Sequence, residues 1–145
     1  MGLFRWIVGA RERGVVAGDG EFEFRVVGSL HHQKALETIC GAHKREGEHH
    51  YCAALLTPQP SNRHDRHAVV VTIHGIEVGF LDREDAREFG RLLRRAGFAD
   101  AACEAEIVGG WDRGDSNQGY YGVRLNAFLP FQVYSAREWA RRSGA

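Results

Sequence analysis

The sequence predicts a mainly β domain (β+α), a small closed or half-closed barrel of about six strands with two short α-helices. Three observations predict it. "EFEFRVVG" alternates, setting Phe22, Phe24 and Val26 on one face and Glu21, Glu23 and Arg25 on the other. "AVVVTI" and "EVGFL" flank His74-Gly75-Ile76, a connection too short for a parallel crossover, so the pair forms a hairpin and a doubly wound sheet is disfavoured. Only two stretches carry helical spacing, and each stops at a glycine.

Taken in order, residues 1–20 end in "GVVAGDG" and read as an N-terminal extension or linker. Residues 21–132 form the barrel domain, and residues 133–145 are a tail that makes one more short helix or frays. In "HHQKALETICG", Leu36, Ile39 and Cys40 share a helix face and Gly41 ends it. "YCAALLTP" is a strand stopped by Pro58. Asp82 opens a helix through "REDAREFGRLLRRAG", with Ala86, Phe89, Leu92, Leu93 and Ala96 as its apolar stripe. Arg94 and Arg95 complement the helix dipole in the last turn, and Gly97 closes it. "AACEAEIVGG" and "YYGVRLNAFL" supply the closing strands, joined by the loop "GWDRGDSNQGY".

The chain of 145 residues suits one domain, and 43% hydrophobic content is enough for a real core. Its 19 basic and 19 acidic residues balance, so no global field announces nucleic acid, although all but two of the basic residues are arginine. Cys40, Cys52 and Cys103 are sparse and odd in number, which argues against a disulfide framework and places the protein in a reducing cytoplasm. No apolar stretch approaches the ~18 residues of a membrane span, and "MGLFRWIVGARERG" lacks a signal-peptide core. No cofactor is expected.

Four groups of residues carry chemistry. In "PQPSNRHDRHAVVV", Asp65 stands among Arg63, His64 and Arg66, which keep it ionised and accepting hydrogen bonds. It either receives a sugar hydroxyl or clamps its own loop together with Asn62. His31, His32, His64 and His67 could form a flat platform for bases or a solvated face. Around Arg113, Trp111, Tyr120 and Tyr121 suit base stacking, a protein-binding hot spot or closure of the barrel end. Cys40, His43, His49 and Cys52 have zinc-like spacing, against which Cys40 lies on the apolar stripe of its helix and Cys52 opens an apolar strand. No Walker loop and no strained serine elbow is present, so the chain reads as non-enzymatic.

"VVGSLHHQKALETICG", "LLTPQPSNRHDRHAVVV" and "GIEVGFL" together resemble the HIRAN domain, a module found in fork-remodelling helicases and as small bacterial proteins. The matching elements are Val26-Val27-Gly28, Pro60 through Val71, and Val78-Gly79-Phe80-Leu81, and the resemblance covers about residues 22 to 96. It implies an OB-like or SH3-like barrel that grips the 3′ end of single-stranded DNA. On this chain it implies that Asp65 accepts the terminal hydroxyl, that His64 and one of the pair His31-His32 pack on terminal bases, that Asn62 is the loop Asn, and that Phe80 and Arg83 flank the end. The chain departs from the helicase pattern at Leu30-His31-His32, where Arg-Tyr-Tyr is usual, at His64 in place of Tyr, and at His67 in place of Asn. The expected function is thus non-catalytic binding of single-stranded DNA or a DNA 3′ end in repair or processing. The expected contacts are His31, His32, Asn62, Arg63, His64, Asp65, Arg66, Phe80, Arg83 and Trp111. The alternative is a protein–protein module using the same groove or the 109–122 loop.

Overall fold

The hairpin expected between residues 69 and 80 is present, and its turn has a physical cause. His74 and Gly75 both adopt positive φ, 54° and 76°, the pair of left-handed residues that lets a two-residue turn follow the twist of its strands. Strand β4 (Val69–Ile73) thereby folds back onto β5 (Ile76–Phe80). The computed structural model describes residues 12–144. Its other strands are β1 (Glu12–Ala17), β2 (Phe24–Arg25), β3 (Glu48–Pro58), β6 (Phe98–Gly109), β7 (Gly122–Leu125) and β8 (Gln132–Ser135). The helices are α1 (Gln33–Cys40), α2 (Arg83–Ala96) and α3 (Ala136–Arg142), with a 3-10 turn at Ser29–His32 leading into α1.

The strands form one sheet whose main path runs β2-β7-β6-β3-β4-β5. An antiparallel bridge between Val27 and Phe80 joins the two ends of this path, so the sheet curls into a barrel-like shape. The mainly β class and the barrel-like form match the expectation. The count differs: eight strands and three α-helices are described, against about six and two.

The extra strands come from the chain's two flanks. Partner β7 covers only Ala105 to Val108 on one edge of the twelve-residue strand β6. Its first half would otherwise be an open edge, and β1 fills it in parallel, pairing Gly14 to Val15 with Ala101 to Ala102. Behind β1, β8 pairs antiparallel. Gly14 permits this close layering, since a Cβ there would stand 2.6 Å from Val133 and 2.8 Å from Phe98. Residues 12–17, read as part of an extension, are thus built into the sheet. The tail forms α3, whose N-cap Ser135 accepts a hydrogen bond from the Glu138 amide (3.1 Å).

The first expected strand is shorter than its alternation suggests. Phe22 has a φ of 53°, which turns the chain, and its ring meets Tyr51 edge-on at 5.3 Å. Ala86, Phe89 and Leu93 of α2 are buried as expected, but Gly90 joins them while Leu92 is half-buried and Ala96 exposed. Phe89 packs on Phe131 (5.0 Å), which in turn meets Phe24 (5.4 Å). With Leu36 from α1 and Leu56, Val71, Ile107 and Leu125 from the strands, these side chains fill the interior. No described helix is long and apolar enough to cross a membrane.

Candidate nucleic-acid interface

The loop between β3 and β4 is closed by the Gln59 amide donating to the Ala68 carbonyl (2.8 Å). Two side chains then shape it from within. Asn62 Oδ1 accepts from the His64 and Asp65 amides (2.9 and 3.1 Å), and its Nδ2 donates to Gln59 Oε1 (3.0 Å). Asp65 Oδ1 accepts from the His67 amide (2.9 Å). Both are the self-bonding turns that Asn and Asp favour. The second oxygen, Asp65 Oδ2, faces Arg83 Nε across 3.6 Å at the start of α2. The Asp65 side chain is 23% exposed and that of Arg83 is 80% exposed. Asp65 is therefore a loop clamp through one oxygen and an ion-pair partner of Arg83, without a hydrogen bond, through the other.

The second wall comes from the Val-Val-Gly turn. Val27 and Phe80 exchange two main-chain hydrogen bonds of 2.8 Å. That approach requires Gly79 to lack a side chain, because a Cβ there would stand 2.5 Å from Val26 Cγ1 and 2.6 Å from the Val27 carbonyl oxygen. Gly28 then turns at a φ of 81°, with the Phe80 ring 4.0 Å from where its Cβ would be. Gln33 fixes the 3-10 turn by donating to the Ser29 carbonyl (2.9 Å) and the Tyr121 carbonyl (2.8 Å).

The structure thus sets Gly28–His32 beside one edge of β5 through the Val27–Phe80 bridge, and the Asp65 loop beside Arg83, three residues past the end of that strand. The four histidines, however, do not act alike. His32 is held between the Gly28 carbonyl (2.9 Å) and Glu77 Oε2 (2.8 Å). His67, with Arg66, lines a separate cavity against α2. His31, His64 and Arg63 are exposed.

Trp111 lies at the far side of a longer depression. One cavity of about 300 Å³ is lined by Arg25, Gly28, Leu30, Val108, Gly122 and Arg124. A second, of about 390 Å³, shares Val108, Gly122 and Arg124 and reaches Trp111, Tyr120 and His49. Trp111 packs on Gly119, donates to Asn117 Oδ1 (3.4 Å) and lies 5.5 Å from the Arg113 guanidinium.

Sequence reasoning missed Arg25 and Arg124. They are direct register partners on β2 and β7, so both side chains leave the same face of the sheet. Each occupies a polar position in an alternating strand, which was the available signal; the pairing of two strands a hundred residues apart was not readable. The same face carries buried Glu106, which accepts from His49 Nδ1 (2.8 Å) and whose charge raises the Tyr51 phenol above its ordinary value.

The zinc-spaced residues do not converge. His49 is turned to Glu106, and the His43 ring meets Tyr121 at 4.8 Å, tilted by 56°. Burial pushes the Cys40 thiol up to about 11 and raises Cys52, the reverse of the thiolate a metal requires. Among the described residues, no three His, Cys, Asp or Glu side chains gather to hold a metal ion. No protein-family model matches the chain, and no curated protein or solved structure does.

Proposed function

We propose that the protein is a non-catalytic nucleic-acid-binding module that receives the 3′ end of a single strand of DNA at Asp65, in DNA repair or processing. The observation that carries this reading is the division of labour on the Asp65 carboxylate. Oδ1 holds the loop, while Oδ2 lies 3.6 Å from Arg83 Nε, beyond the ~2.7–3.2 Å of a good N–H···O bond. Oδ2 therefore keeps acceptor capacity beside a mostly exposed guanidinium. A terminal hydroxyl would donate to it, with the last sugar and base against Gly28 and Phe80. Arg83 and the exposed Arg63 would face the phosphates. The strand would continue past Leu30 and between Arg25 and Arg124 toward Trp111 and Tyr120, where bases could stack.

The second reading, a protein-binding module, has its own support. Val27 is 42% exposed and Leu30 is 59% exposed at the same turn, an apolar pair suited to a partner's side chain. Amide chemical shifts of the labelled protein, followed while a short single-stranded oligonucleotide is added at low salt, separate the two. Saturable shifts at Gly28, His31, Phe80, Asp65 and Arg83 support the DNA reading. Unchanged spectra leave the protein-partner reading in its place.

A further inference from the structure

Between the 58–68 loop, α2 and the start of β6 lies a cavity of about 560 Å³, distinct from the groove described above. Its apolar lining includes Pro58, Pro60, Ala86, Leu93 and Phe98. Its cationic residues are Arg66, Arg87 and Arg94, with His67 beside them. No carboxylate lines it. The arginines that do form ion pairs among the described residues are Arg13, Arg83 and Arg91, so none of Arg66, Arg87 and Arg94 has a carboxylate within 4.0 Å there.

Gly90 is the residue of α2 that opens the bowl. It is buried on the helix, and Arg94 Nη1 lies 3.5 Å from where its Cβ would stand. Any larger side chain at position 90 would enter the space that the arginines surround. Like charges gathered around one cavity repel one another, and although all three arginines are exposed, an anion held among them relieves that repulsion while its fork-shaped contacts are satisfied. The volume falls in the range of small-ligand sites, roughly 300–1,000 Å³. The lining also limits the ligand's body. Apart from arginine and His67, no side chain in it offers a hydrogen bond, so nothing is present to read the polar edge of a base.

We infer that this cavity is a binding site for a small amphipathic anion, a short hydrocarbon chain or aryl group ending in a carboxylate or phosphate. The hydrocarbon fills the bowl over Ala86, Leu93 and Phe98, and the head group meets Arg66, Arg87 and Arg94. This site uses neither Asp65 nor the Val-Val-Gly turn; of the DNA contacts expected from the sequence it takes only Arg66.

The test is a titration of the isotope-labelled full chain with octanoate, octyl phosphate, octanol and adenosine 5′-monophosphate, read from amide shifts. Octanoate or octyl phosphate should shift Ala86, Gly90 and Ala99 saturably, and the tighter of the two names the head group. Octanol should bind at least about tenfold more weakly, as expected when charge-assisted contacts are absent. Gly90→Leu should abolish the shifts without lowering the melting temperature, because leucine is the better helix former. The double variant R66A/R94A should weaken octanoate about tenfold and leave octanol unchanged. No saturable binding of either anion, equal binding of octanol, tighter binding of the nucleotide, or full binding to Gly90→Leu would each overturn the inference.

Discussion

Asp65 and Arg83 face each other across 3.6 Å, close enough for their charges to attract and longer than a good hydrogen bond. The loop and the first residue of α2 are held as neighbours while both keep capacity for a third group. That third group is what the proposed function supplies.

Asp65→Asn tests this directly. The amide oxygen can still accept from the His67 amide, so the loop turn survives and stability should change by less than ~0.5 kcal/mol. The second position then carries an NH2 donor turned toward Arg83, and the ionised acceptor that a terminal hydroxyl would meet is gone. Affinity for a 3′-hydroxyl strand should fall about tenfold or more, since hydrogen bonds to charged groups are worth ~1.5–3 kcal/mol. Urea denaturation and binding measured on the same preparation separate the two effects.

Gly79→Ala should be destabilising well beyond its size. The added methyl would meet the Val27 carbonyl oxygen, a backbone atom that cannot swing aside, and part the bridge between Val27 and Phe80. A loss of ~1–3 kcal/mol is expected, typical of overpacking. An unchanged urea midpoint would mean that the barrel does not depend on this closure.

Buried thiols give the protein an alkaline limit. Burial, with a smaller contribution from Glu104, pushes Cys103 from its ordinary 9.0 up to about 12. Below pH 9 the thiol is protonated whether the chain is folded or unfolded, and the stability is intact. Above it the unfolded chain ionises while the folded one does not, so stability falls as pH rises from 9 toward 12. The urea midpoint should therefore drop between pH 8 and 10.5 more steeply in the unaltered protein than in Cys103→Ala. Parallel slopes would assign the alkaline limit to other groups.

Much of the fold was legible because its signals are local. The 69–80 hairpin needed only two alternating runs around His74-Gly75, and α2 only its stripe and closing Gly97. What stayed hidden depends on distant chain. "ERGVVA" becomes a strand because the long β6 leaves an edge uncovered and Gly14 fits between Phe98 and Val133. In the site, Asn62 and Asp65 were legible as turn formers. The sharing of Asp65 between His67 and Arg83 was not, because it depends on where α2 begins in space. Trp111 is among the contacts expected from the sequence, yet the cavity it lines shares only Val108, Gly122 and Arg124 with the one beside Gly28 and Leu30, and neither is lined by Asp65.

Arg25 and Arg124 extend the proposed path of the strand. Neither has an ion-pair partner within 4.0 Å among the described residues, although Glu106 is a register neighbour of Arg124. If they contact phosphates, Arg25→Gln and Arg124→Gln should each weaken binding about equally for all sequences. Each should also reduce the slope of log affinity against log salt by about one. A slope unchanged in the double variant would route the strand elsewhere.

The measurement closest to the central claim is fluorescence anisotropy with one labelled single strand prepared in two forms, ending in a 3′ hydroxyl or a 3′ phosphate, at a fixed low salt concentration. The hydroxyl form should bind about tenfold tighter or more, and Asp65→Asn should erase the difference. Equal affinity for the two ends in the unaltered protein would contradict that claim.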